Sequence, residues 1–216
     1  MMTRYLLVDR PTTPYYVIKG RSKGPIVLVT AGIHGTEIAG VLAAEQLRHI
    51  QLKRGTLIIV PIVNVRAYRQ RARGNPDLNR TFPHRSSDRP KIRLSRNLFA
   101  LAHHFQPTWC IDLHEANGLY LLDNTKLGQT LIVYPNQETY RTAKKIIVGI
   151  NHTITKGTRK FSVKQGKLRG SFRTAVGSVL GSHAITVETS MQQPRAVRVK
   201  DQVRIVHALL REIGLI

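Results

Sequence analysis

Two continuous β-branched runs, PIVLVTAGI at 25–33 and TLIIVPIV at 56–63, flank EIAGVLAAEQLRHI at 37–50, whose apolar residues recur at helical spacing. Strands apolar at nearly every position have no face to give to water, so both faces of their sheet need cover. The rest of the chain repeats the alternation. TWCIDL (108–113), LIVYP (131–135) and AITVE (184–188) read as strands, and SRNLFALAHHF (95–105), QETYRTAKKIIVGI (137–150) and the closing amphipathic segment 199–216 as helices. RYLLVD and YYVIKG, before the first buried run, read as an edge pair. The expectation is an α/β fold of three layers, α/β/α, on a mixed, mostly parallel sheet, with Thr36 as the N-cap of the first helix. Segments 70–94 and 152–183 carry Gly, Pro, Ser and charge without periodicity and read as long loops, which in a compact domain are often functional.

At 216 residues and 42% hydrophobic, the chain reads as one domain spanning 1–216 with a real core. Its N-terminal apolar run, LLV between charges, is too short for a signal peptide or a membrane span. A single cysteine, Cys110, excludes an internal disulfide and fits a reducing compartment, so the expected location is cytoplasmic. Charge is the unusual bulk property: 34 Lys and Arg against 12 Asp and Glu. No acid falls between Glu138 and Glu188, nor from Gln46 to Pro76, while both stretches are rich in Lys and Arg. Such a surface is either a solvated face or a contact for a polyanion, nucleic acid included. Against nucleic acid, aromatics are only 6% of the chain, which leaves few stacking platforms.

Against that basic background, five of the twelve acids fall in four polar clusters: Glu37 in GIHGTE, Asp77 in NPDLNRTFP, Asp112 and Glu115 in DLHEA, and Glu188 in VETS. Three of these clusters lie where a predicted strand ends. The carboxyl ends of strands border the ligand crevice of open α/β sheets, so His34, Glu37, His114 and Glu188 are expected to converge there. Two imidazoles and a carboxylate with an open fourth position make a catalytic zinc set, and a spare glutamate beside them suits a general base. Each cluster alone is weak, since a short H-x-x-E arises often by chance, and HEANG is not the H-E-x-x-H zinc helix because position 118 is Gly. Of the other histidines, His103 and His104 are neighbours on a helix and point apart.

The order AGIHGTE, DLNRTFP, DLHEA and a late E-T at a strand end resembles the zinc carboxypeptidase superfamily, most closely its succinylglutamate desuccinylase/aspartoacylase branch, from about residue 25 onward. The resemblance implies a carboxypeptidase-like fold and one zinc ion held by His34, Glu37 and His114, with water in the open position. It implies Glu188 as the catalytic general base. Asn79 and Arg80 would grip a substrate carboxylate, and an arginine of RQRARG would face developing charge on the carbonyl oxygen, Arg73 by the family-like spacing or Arg71 as the alternative. Asp112, two residues before His114 on one strand and hence on its face, is placed to orient that imidazole. Members of the branch commonly carry a small β-rich domain after the catalytic one, and this sequence ends after one closing helix. No tyrosine matches the lid residue of carboxypeptidases. The expected activity is hydrolysis of an amide next to a carboxylate, on a small acidic substrate such as an N-acyl amino acid or on a carboxylate-bearing peptide. The alternatives are a polyanion- or nucleic-acid-binding protein that retains the fold, and a hydrolase of an acidic peptide polymer.

Overall fold

The computed structural model describes residues 2–7, 9 and 11–216. Its strands are β1 (Met2–Leu7), β2 (Thr13–Lys19), β3 (Ser22–Ala31), β4 (Arg54–Val60), β5 (Trp109–Ala116), β6 (Thr130–Val133), β7 (Ser162–Gln165) and β8 (His183–Ser190). The helices are α1 (Ile38–Leu47), α2 (Val65–Gln70), α3 (Arg93–Phe105), α4 (Gln137–His152), α5 (Phe172–Val179) and α6 (Arg195–Glu212). All eight strands join one sheet in the order β1-β2-β4-β3-β5-β8-β6-β7. β4, β3, β5 and β8 run parallel, β6 turns back against β8, and the β1–β2 pair joins antiparallel at one edge. The expected edge pair is therefore present, although Val8 of RYLLVD lies outside the described residues.

The central strands are buried on both faces, as their uninterrupted apolar runs require. On one face Val27, Val29, Ile111 and Leu113 meet Ala39, Ala43 and Leu47 of α1, Ile146 and Ile150 of α4, and Val206 and Leu210 of α6. On the other, Leu28, Ile58 and Cys110 meet Leu98 and Ala102 of α3 and Phe172, Ala175 and Val176 of α5. The two cores give the three expected layers. No helix among the described residues is long and apolar enough to cross a membrane.

Two expectations need correction. Segment 152–183 is not one long loop: it contains β7 and α5, the latter started by Ser171, whose side chain accepts from the Thr174 N–H. In addition, α2 follows β4, capped by Asn64, where no helix was expected. Segment 70–94, by contrast, is irregular apart from a single 3-10 turn at Leu78–Arg80 and the start of α3.

Candidate metal centre

Because β3, β5 and β8 are parallel and adjacent, their carboxyl ends lie side by side, and each delivers a polar group to that edge. Past the end of β3 the chain turns through Gly32 and Ile33 to His34. Gly35 packs so close to α2 that a Cβ there would sit 2.0 Å from the Ala67 carbonyl oxygen, so only glycine admits this turn. Glu37, not Thr36, occupies the N-cap position of α1, and its side chain makes no capping bond. The Ala39 N–H instead donates to Glu115 Oε2 of β5 at 2.8 Å. Capped from a neighbouring strand, α1 leaves the Glu37 carboxylate free to face inward.

There it meets two imidazoles. His34 Nδ1 lies 2.6 Å from Glu37 Oε1, and His114 Nδ1 lies 2.7 Å from Glu37 Oε2. The second contact lacks hydrogen-bond geometry, since Glu37 Oε2 has no hydrogen-bond partner among the described residues although it is buried. Atoms so close, with no bond between them, point at a shared third position. The opposite nitrogens are held from behind: His114 Nε2 by Asp112 Oδ2 at 2.7 Å, and His34 Nε2 by Asp77 Oδ1 at 3.0 Å. Asp112 is itself fixed by the Thr30 hydroxyl, which donates to Oδ1 at 2.7 Å. A carboxylate behind each ring assigns the proton to Nε2 and leaves Nδ1 as a lone-pair donor.

The donor atoms of His34, Glu37 and His114 all lie within 4.8 Å of one another, the only such group among the described residues. A single ion would be held by those three side chains, and two nitrogens with one carboxylate oxygen suit zinc. The field agrees. Burial works against charge on Glu37, yet the imidazoles of His114 and His34 hold its carboxyl down to about 2. Burial likewise opposes charge on His114, but Asp112 and Glu37 push that imidazole well above its ordinary range. A carboxylate held ionised beside an imidazole that favours positive charge suits a cation. The three side chains are 2–3% exposed, so this cation would be largely out of water.

Glu188 stands in register beside His114 on the next strand. Burial, reinforced by Glu37 and Asp112 and opposed by His114 and Arg173, pushes its carboxyl up to about 8. Arg173 was not singled out in the sequence, where it is one cation of a basic run. In the fold it is buried in the first turn of α5, its Nη1 donating to Thr186 Oγ1 of β8 at 2.9 Å while its Nε finds no partner among the described residues. Burial pulls this guanidinium down to about 10 against the pull of Glu188 and Asp112. The Ser171 cap two residues earlier is the signal that would have placed it on a helix.

The remaining expected residues lie along one loop. Asp77 anchors it, and Arg73 pairs with Asp77 Oδ2 through Nη2 at 2.9 Å. Arg80 Nη1 reaches the same oxygen at 3.9 Å and donates to the Asn79 carbonyl at 2.8 Å. Arg71 instead stacks over Tyr68 at 4.2 Å from the ring centre, so Arg73 is the arginine of RQRARG that contacts the loop's anchor. Asn79 is buried, its Oδ1 accepting from the Phe172 N–H at 2.9 Å, which ties the loop to α5. A groove of about 820 Å³ lined by Arg66, Arg73, Asn64 and Asn75 runs beside the metal cluster without including its three side chains.

Residues 23–125 match the model of the succinylglutamate desuccinylase/aspartoacylase catalytic domain, a span that holds His34, Glu37, Arg73, Asn79, Arg80 and His114. The chain resembles this family over that span, a little under half of its length. A curated relative, N-alpha-acetyl-L-2,4-diaminobutyric acid deacetylase of Halomonas elongata, is 38% identical over 77 residues, 32% of this chain and 22% of the relative. Among solved structures, the cell shape determinant protein Csd4 of Helicobacter pylori superposes with a TM-score of 0.78 at 19% identity, over 100% of this chain and 55% of Csd4. Csd4 is a D,L-carboxypeptidase that has been seen with mDAP bound. A succinylglutamate desuccinylase/aspartoacylase from Rhodobacter sphaeroides gives a TM-score of 0.72 at 19% identity, over 100% of this chain and 66% of that one. At these identities the structural likeness speaks to the fold. The chain thus spans about a fifth of the curated relative and about half of Csd4.

Proposed function

We propose that residues 1–216 form a catalytic unit that hydrolyses an amide bond next to a carboxylate, with His34, Glu37 and His114 holding one zinc ion. The observation that carries this reading is the convergence of those three side chains with Glu188 at the carboxyl edge of the sheet, each imidazole backed by an aspartate. Bound there, zinc supplies a Lewis acid that polarises the scissile carbonyl and acidifies water. The protein supplies the rest. Glu188 takes the proton of the attacking water and returns it to the leaving nitrogen. Arg73 donates to the carbonyl oxygen as negative charge develops on it, exchanging part of its pairing with Asp77 for that contact. Arg80, with Asn79, holds the substrate carboxylate and fixes the amide over the centre. Asp77 and Asp112 keep both imidazoles in the ligating tautomer.

The deacetylase relative and the carboxypeptidase activity of Csd4 point to the same bond type, an N-acyl amino acid or the end of a peptide. The test is Glu188→Gln, which keeps shape and hydrogen bonds but cannot accept a proton. Turnover on the best of a panel of N-acyl amino acids and peptides is expected to fall by about 10²–10⁴, with zinc content unchanged. Arg80→Ala is expected to act chiefly on KM, because the carboxylate grip exists in both ground and transition states. Full activity in Glu188→Gln would move the base elsewhere and refute the mechanism.

A further inference from the structure

Apart from the groove beside the metal cluster, which Arg80 does not line, there is a separate pocket of about 420 Å³, whose cationic walls are Arg80, Arg89, Lys91 and Arg169. The only acid lining it is Asp88, and Oδ2 of that carboxylate already accepts two backbone N–H bonds, from His84 and Arg85, both at 3.0 Å. Among the described residues the side chains of Arg89, Lys91 and Arg169 have no acidic partner. Four cations gathered in one concavity raise each other's energy, and a bound anion relieves that repulsion.

The pocket is also held in shape. The Phe82 N–H donates to the Gly170 carbonyl at 3.0 Å and the Lys91 N–H to the Thr81 carbonyl at 2.8 Å, while the Ser178 hydroxyl of α5 donates to the His84 carbonyl at 3.1 Å. At Gly170 a Cβ would sit 2.5 Å from the Arg80 carbonyl oxygen, and φ is +79°, so the two walls meet there only through glycine. A basic surface meant for solubility alone has no need of such pinning.

Position and chemistry select the ligand. Arg80 leans on Asp77, which holds His34 from behind, so the pocket opens one side chain away from the candidate metal centre. An anion seated there is displaced along the substrate from the carboxylate next to the scissile amide. Of the two rings on the wall, Phe82 is 3% exposed and His84 is half-buried, which leaves little stacking platform and argues against a nucleic acid. We infer that this pocket is a subsite for a carboxylate on a neighbouring residue of the substrate, so that the substrate is an acidic peptide carrying carboxylates on at least two residues rather than a single N-acyl amino acid. The inference rests on the hydrolase reading for the place where the chain is cut, and on the pocket alone for what is bound.

The experiment measures binding to the metal-free chain by calorimetry, with tetraglutamate, N-acetylglutamate and inorganic tripolyphosphate as probes. Wild type is expected to bind tetraglutamate at least about tenfold more tightly than N-acetylglutamate, two exposed ion pairs each contributing up to about fivefold. The double variant Lys91→Glu, Arg169→Glu is expected to erase most of that difference and to leave the Kd for N-acetylglutamate within about twofold. Both side chains are exposed, and Arg89→Ala with Arg169→Ala serves as the milder pair if charge reversal disturbs the fold. On zinc-loaded protein the double variant is expected to raise KM for the peptide and spare kcat. Equal affinity of wild type for the two glutamate probes, an unchanged peptide Kd in the variants, or stronger binding of tripolyphosphate than of tetraglutamate would each overturn the subsite. Peptide binding that behaves as expected on a zinc-loaded protein with no amidase activity would instead refute the hydrolase reading and leave an acidic-peptide site.

Discussion

Glu188 is a half-buried acid whose charge the surrounding protein resists, and that resistance carries a stability consequence. Its carboxyl is pushed from an ordinary 4.5 up to about 8, chiefly by burial. Between those values the folded, metal-free protein holds a proton that the unfolded chain has released. Stability therefore falls as pH rises through the window, because the folded state binds more protons there. Glu188→Gln removes the titration, so the metal-free variant is expected to gain thermal stability over wild type at pH 8.5 and to gain little at pH 4.5. An equal difference at both values would show that burial does not shift this group. At this scale the gathering of His34, Glu37 and His114 was legible because each sits in a short polar phrase inside apolar sequence. The supporting roles of Asp77 and Arg173 were not, because their partners lie elsewhere in the chain: Asp77 reaches back 43 residues to His34, and Arg173 donates across to Thr186 on β8. No local pattern encodes either contact.

Elements matter here through their ends. α1 begins at a residue that has work to do at the centre, so its first turn borrows an acceptor from Glu115, which also pairs with Arg198 of α6. A further tie runs from Gln202 of α6, whose Nε2 donates to the His114 carbonyl at 2.9 Å and to the Thr189 hydroxyl at 2.8 Å. Glu115→Ala is expected to destabilise the protein by about 3 kcal/mol, since it leaves the Arg198 charge poorly compensated and uncaps α1. The measurement is a urea denaturation curve, and a loss below about 1 kcal/mol would mean that water replaces the carboxylate. The sequence places Thr36 at this cap because threonine is a good cap and glutamate a poor one. It misleads because local preference yields where a side chain is needed elsewhere. β7 and α5 escaped notice for another reason. β7 is four residues at the sheet edge, mostly half-exposed, and α5 follows Gly166 and Gly170 in a lysine-rich stretch that masks its apolar face.

For the whole molecule, the sheet was the most legible feature, since continuous β-branched strands alternating with helices admit few arrangements. The charge was legible as a quantity and not as a distribution. Part of it lines two concavities, Arg66 and Arg73 on the groove and Arg80, Arg89, Lys91 and Arg169 on the separate pocket. Another part lies far away, such as Lys145, paired with Glu212 between α4 and α6. Fold, charge and site meet in one claim, that His34, Glu37 and His114 hold a single divalent ion. The direct measurement strips the protein with chelator, reloads it with zinc, removes the excess and counts metal per chain for wild type, His34→Ala and His114→Ala, with circular dichroism to check that each is folded. The account predicts one zinc per wild-type chain and little in either variant, because two remaining protein ligands seldom hold the ion. Wild-type protein that takes up no zinc, or folded variants that both retain a full equivalent, would contradict it.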